Sequence, residues 1–123
     1  MAAAIHAGDV RLLADIGFMA LWSGRLREAA VIFEGVNSAR PGGEAGRIGL
    51  AMLLMAENRL TEAVSLLRAQ RRSIAARTFL GFALASLGDI SHARKAWQSV
   101  IERARETPFV ALAEAGLREF PAR

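Results

Sequence analysis

The 123-residue sequence contains no cysteine. That excludes disulfides, thiolate metal sites and a cysteine nucleophile. Histidine is nearly as scarce, with only His6 and His92. Two distant imidazoles and no thiol supply no convergent metal set and no convincing Ser/His/Asp arrangement. Both read as solvated surface side chains. Gly42-Gly43 lacks the later Gly and the Lys-Ser/Thr of a phosphate-cradling loop, and reads as a turn. No catalytic residue, cofactor site or metal site is therefore expected, and no enzyme. No apolar run reaches about 18 residues without a charge, so no membrane span is expected. The opening MAAAIHAGDV has neither a basic leader nor a long apolar core, which argues against a secretory signal and for the cytoplasm. Lysine is represented by Lys95 alone; the other 15 of the 16 basic residues are Arg, and the formal net charge is +4.

What the chain has in excess is apolar surface. The residues AVILMFWYC make up 53% before the 11 Gly are added, against roughly 45–50% with Gly included for an average domain. One domain over 1–123 can bury roughly two thirds of its unfolded surface. An excess of this size points to a partner that covers one face.

The apolar residues are ordered by a repeat. GRLREA (24–29), NRLTEA (58–63) and GDISHA (88–93) share a turn former, a charge, Leu or Ile, two polar residues and an Ala. A large apolar residue follows four positions later: Phe33, Leu67 and Trp97. Ala29 and Ala63 stand 34 residues apart, but Ala63 and Ala93 only 30, so the second unit is short by about one helical turn. Gly17, Ala51 and Gly81 each stand seven residues before the turn former. Small residues let two helices approach closely, and these three are expected to face Ala29, Ala63 and Ala93. Gly in a helix interior costs roughly 1 kcal/mol relative to Ala, so a packing reason is required. An ordinary bundle with chance Gly and Ala would not place all three turns on one period.

Helices are expected over Val10 to about Trp22 with Asp9 as N-cap after a frayed start, then Leu26 to 36–38, Glu44–Ala56, Leu60–Ala69, 74–87 capped by Ser73, and Ile90 to about 105. Thr107-Pro108 opens a seventh helix, 108 to about 119, with a hydroxyl cap and a Pro that needs no hydrogen bond at the first helical position. The units fall at about 10–43, 44–73 and 74–106. The stack should be irregular near 69–76, where the second unit is short and lacks a closing Pro.

The 34-residue spacing, with Gly17, Gly24, Ala29, Phe33 and Pro41 in the first unit, resembles the tetratricopeptide repeat, two antiparallel helices packed through small residues. The resemblance implies an all-α, right-handed superhelix of three antiparallel helix pairs, finished by a capping helix that covers the exposed apolar side of the last pair. The first helix of each unit would line a concave groove. Residues at fixed offsets from the small positions then become the expected partner-binding set: Phe18, Leu21, Trp22, Ile48, Met52, Met55 and Phe82. They form an apolar trough in which Met adapts its shape to a partner at low cost, suited to an amphipathic helix. Helix seven or the N-terminal arm folding back would cover the same trough.

In size and in the style of GFMALWSGRLREAAVIFEGVNSARPGG, the chain is also similar to the small chaperones of bacterial type III secretion, in particular the needle-subunit chaperones. That likeness implies a virulence-associated cytoplasmic chaperone that holds an apolar C-terminal helix and stops premature polymerisation, often with a second small co-chaperone. Two other classes compete. One is an assembly scaffold or homo-oligomeric adaptor using the same groove. The other is an RNA-binding helical repeat using Arg68, Arg71, Arg72 and Arg77; no aromatic with which to stack bases interleaves these four, and a solvated junction or an acidic protein patch fits them better.

Overall fold

The computed structural model describes residues 7–104 and 107–122, and these form seven α-helices and no strand. They are α1 (Ala7–Trp22), α2 (Leu26–Ala39), α3 (Glu44–Ala56), α4 (Leu60–Arg68), α5 (Ile74–Ser86), α6 (Ile90–Arg103) and α7 (Pro108–Glu119). Each packs against the next in sequence, and α1, α3, α5 and α7 also pack in order against one another. Three helix pairs therefore stack with their first helices side by side, and α7 lies beside α5 where a fourth pair would begin.

The turns inside the three pairs are copies of one geometry. Gly24, Asn58 and Gly88 adopt left-handed φ values of 78°, 61° and 88°, where Gly pays no Cβ penalty and Asn is tolerated. In each turn the following N–H reaches back to the preceding helix: Arg25 to the Ala20 carbonyl at 2.8 Å, Arg59 to Leu54 at 2.8 Å, Asp89 to Leu84 at 2.9 Å. This αL closure satisfies carbonyls that the helix end leaves free.

Two expectations about helix ends change. α1 already includes Ala7, so Asp9 lies inside the helix rather than capping it; residues 1–6 of the expected frayed start lie outside the described residues. Thr107 is extended but makes no capping bond; its hydroxyl donates to the Ala104 carbonyl at 3.1 Å instead. Ser73 does cap α5, accepting from the Ala76 N–H at 2.9 Å, and Asp89 caps α6 through the His92 N–H. The His92 ring also donates to Asp89, which holds that carboxyl below its ordinary range. The missing turn of the second unit comes off α4, which has 9 residues where α2 and α6 have 14.

The core is built from the repeated positions. Ala29, Ala51, Ala63 and Ala93 are fully buried, as are Phe33 and Trp97, with Leu67 nearly so. The glycines serve a different neighbour from the one expected. A Cβ on Gly17 would lie 2.9 Å from Phe33 Cζ, and one on Gly81 would overlap the Trp97 indole. The space that these glycines free is taken by the aromatic ring four residues past the Ala, not by the Ala itself. A second glycine completes each cradle: Gly49 on α3 against Phe33, and Gly116 on α7 against Trp97.

Candidate functional site

The first helices and α7 leave a cavity of about 430 Å³ between them, lined by Phe18 and Trp22 of α1, Glu44, Ala45 and Ile48 of α3, Ala75 and Phe79 of α5, and Phe109 and Leu112 of α7. Its wall is almost wholly hydrocarbon. Every contributing helix presents its lining residues one turn apart, at i and i+3 or i+4, so they share one face. Phe18 is positioned by its own packing: its ring meets Phe33 edge-on at 4.8 Å and stacks on Trp22 at 5.8 Å. On the far side Phe79 and Phe109 meet edge to face at 6.2 Å. Trp22 remains 71% exposed and Leu112 40% exposed, an unusual state for side chains that each bring a large apolar surface.

α7 forms the far wall of this cavity and does not fill it. It is held by the Trp97–Gly116 contact and by Arg94, whose guanidinium donates to the Leu117 carbonyl at 2.8 Å and the Phe120 carbonyl at 2.7 Å. Those two bonds satisfy carbonyls at the end of α7.

Three of the seven residues expected in the groove, Phe18, Trp22 and Ile48, line the cavity. The other four do not. Leu21 packs with Ala29, Phe33 and Leu53; Met52, Met55 and Phe82 pack on the core of the second and third units, Phe82 with its ring 4.9 Å from Trp97. Offsets of one and five residues from the small position give Phe18 and Trp22 on α1, but the offset of four gives Leu21, and none gives the lining of α3 or α5. On α3 the cavity is lined one turn earlier, at Glu44, Ala45 and Ile48. Ala75, Phe79, Phe109 and Leu112 were not in the expected set. Phe109 and Leu112 form an i, i+3 apolar pair and Ala75 and Phe79 an i, i+4 pair, the latter starting from a buried small residue.

The Arg cluster gathers around a smaller hollow at the α4–α5 turn, lined by Leu67, Arg68, Gln70, Arg71, Arg77 and Leu80. Arg77 is engaged, donating to the Ser99 hydroxyl at 2.7 Å and the Arg71 carbonyl at 2.9 Å. Arg68, Arg71 and Arg72 are exposed. Among the described residues, no group of three His, Asp or Glu stands together as a metal site would require, and no helix is long and apolar enough to cross a membrane.

The repeat, the shared turn geometry and the stacked pairs define a fold class: the described residues form an all-α, tetratricopeptide-repeat-like array. A family model described as tetratricopeptide repeat matches residues 20–74, from the end of α1 to the start of α5. Among solved structures, the chain is similar in fold to the type III secretion translocator chaperone SycD of Yersinia enterocolitica, crystallised as an alternative dimer. That likeness covers 98% of this chain and 100% of that chain, with a TM-score of 0.69 at 15% identity. No curated protein matches the sequence.

Proposed function

We propose that the chain is a non-enzymatic protein-binding module that works as a chaperone, holding an apolar amphipathic helix of a partner in the groove between α1, α3, α5 and α7. The observation that carries this reading is the 430 Å³ apolar cavity with Trp22 and Leu112 exposed at its rim. Covering those side chains is favourable by about 25 cal/mol per Å² removed from water, and a helix with anchors at i, i+3, i+4 and i+7 presents a matching ridge. The client class is a type III secretion subunit kept from polymerising in the cytoplasm before export. A needle-type subunit fits the small size of the chain. The fold likeness to a translocator chaperone favours, as a second reading, a translocator-type client.

A small co-chaperone, the other expected partner, has a separate face available. Leu12, Ile16 and Met19 form a stripe along the outer side of α1 and are 59%, 42% and 65% exposed.

Co-expression with each candidate client tests the reading. A needle-type or translocator-type subunit is expected to co-purify in a stoichiometric complex. Trp22→Glu combined with Leu112→Glu should abolish the complex while helicity and melting temperature stay near wild type, because both side chains are exposed. Leu12→Glu, at an exposed position of α1 that does not line the groove, should leave capture intact. A complex that survives the groove variant would place the binding surface elsewhere.

A further inference from the structure

The apolar cavity does not end at Phe18. A second cavity of about 440 Å³ adjoins it and shares Phe18, Glu44 and Ala45. This second half is still largely apolar, through Val10, Ala14 and Val36, but it adds the charged side chains of Arg11 and Asp15 of α1 and Arg40 at the end of α2. The two cavities form one trough, apolar along its length and bearing charged side chains mainly at one end. The charged end is balanced, with Arg11 and Arg40 against Asp15 and Glu44. Glu44 is the one charged side chain that also reaches into the oily half.

Glu44 is held where it stands. Its carboxylate accepts a hydrogen bond from the Ser73 hydroxyl at 2.7 Å, and the same hydroxyl accepts the capping bond from the Ala76 N–H. Ser73 is buried, so the carboxylate is tied to the start of α5 across the trough. In the empty groove Glu44 is exposed and solvated. An occupant that seats apolar side chains against Ile48, Phe79 and Phe109 takes that water away. Arg11 and Arg40 share the trough, but among the described residues neither stands within ion-pair distance of Glu44, whose one side-chain hydrogen bond is from Ser73; a carboxylate stripped of water with that single partner is strongly unfavourable. A Lys or Arg in the occupant removes the penalty; an apolar or acidic residue there does not.

Building on the groove reading above, we infer that Glu44 is a specificity-determining residue: the trough takes an amphipathic helix that carries a basic residue at the boundary of its apolar face. Apolar anchors supply adhesion in the half bounded by Trp22 and Leu112. Glu44 rejects helices without the cation, which is selection by an unpaired buried charge rather than by added attraction alone.

The test uses three synthetic amphipathic helices, acetylated and amidated, with the same leucines at i, i+3, i+4 and i+7. They carry Lys, Gln or Glu at the flank of the apolar face, scanned over successive positions. Affinity is read by anisotropy of a labelled peptide, and seating by the emission of Trp22. At the best position the Lys peptide should bind at least about tenfold more tightly than the Gln peptide, with the Glu peptide weaker still. Glu44→Gln keeps the bond from Ser73 and removes the charge, so its fold should be unchanged and its preference for Lys should collapse to within about twofold. A purely structural role for Glu44 would leave the ranking of the three peptides unaltered in that variant, which would overturn the inference. Equal wild-type affinities with a shifted Trp22 emission would also overturn it while leaving the groove reading in place. Failure of all three peptides to move Trp22 would remove the groove reading, and this inference with it.

Discussion

The two ends of the stack solve one packing problem with different degrees of completion. Near the N-terminus Phe33 lies in a cradle made by Gly17 of α1 and Gly49 of α3; near the C-terminus Trp97 lies in one made by Gly81 of α5 and Gly116 of α7. In both, a bulky ring occupies space that two glycines vacate. The C-terminal cradle has more around it. The Trp97 indole N–H donates to the Thr78 carbonyl at 3.1 Å, and Phe82 and Phe120 approach with ring centroids at 4.9 and 5.9 Å. α7 then closes that end. Outside α1 no described helix plays the same part, and Leu12, Ile16 and Met19 face outward. A finished C-terminal end anchors α7 as a fixed wall of the groove, while the N-terminal end contributes the groove's most exposed ring, Trp22.

The contrast can be broken most severely at the aromatic residues. Trp97→Ala should destabilise the chain by about 4–5 kcal/mol, near the top of the range for large buried aromatics, because it opens a cavity and loses the bond to Thr78. Phe33→Ala, with no polar bond to lose, should cost about 3–4 kcal/mol. Denaturant midpoints at constant m-value would compare them, and a larger loss at Phe33 would reverse the order proposed for the two ends.

Next in size are the glycines. Gly81→Ala and Gly49→Ala each place a methyl inside a ring, and should cost about 2–3 kcal/mol despite the roughly 1 kcal/mol that Ala gains in a helix. Gly17→Ala meets Phe33 at 2.9 Å, where a small ring shift offsets the contact, and should fall within about 1 kcal/mol of wild type. Thermal melts of the three would test the cradle geometry; a neutral Gly81→Ala would show that the indole has room to spare.

Smaller still is Gly88→Ala at the turn, where the left-handed φ alone should cost about 1 kcal/mol, since nothing stands near the added methyl. Smallest of all, Ile16→Ser on the open end should change the stability of the isolated chain by less than about 0.5 kcal/mol. A clear loss there, measured in the same melts, would mean that α1's back face is already covered in solution.

The stacked pairs were legible in the sequence because one period carries turn, small residue and large residue together. Ala29, Ala63 and Ala93, and the three left-handed turn positions, follow directly from it. What the glycines touch was less legible. Spacing places Gly17 near the second helix, but only three-dimensional packing decides whether Ala29 or Phe33 meets it, and the larger side chain reaches further. The groove was half legible for a related reason. Trp22 and Phe18 sit on the outermost first helix, where no earlier described unit covers them, although Leu21 on the same helix packs on the core. On α3 and α5 the cavity is lined from the first halves of the helices, at Glu44, Ala45, Ile48, Ala75 and Phe79, while the half-buried Met52, Met55 and Phe82 lie about one turn further on. The wall supplied by α7 could not be read from the repeat, because α7 has no counterpart within it.

Acrylamide quenching of tryptophan fluorescence tests most directly whether the trough is the seat of a partner helix. Trp97 is fully buried and Trp22 is not, so in the free chain the quenching comes from Trp22. In a purified complex with its client the account predicts that Trp22 becomes inaccessible and its emission moves to the blue. A complex of full stoichiometry in which Trp22 is quenched as readily as in the free chain would contradict it.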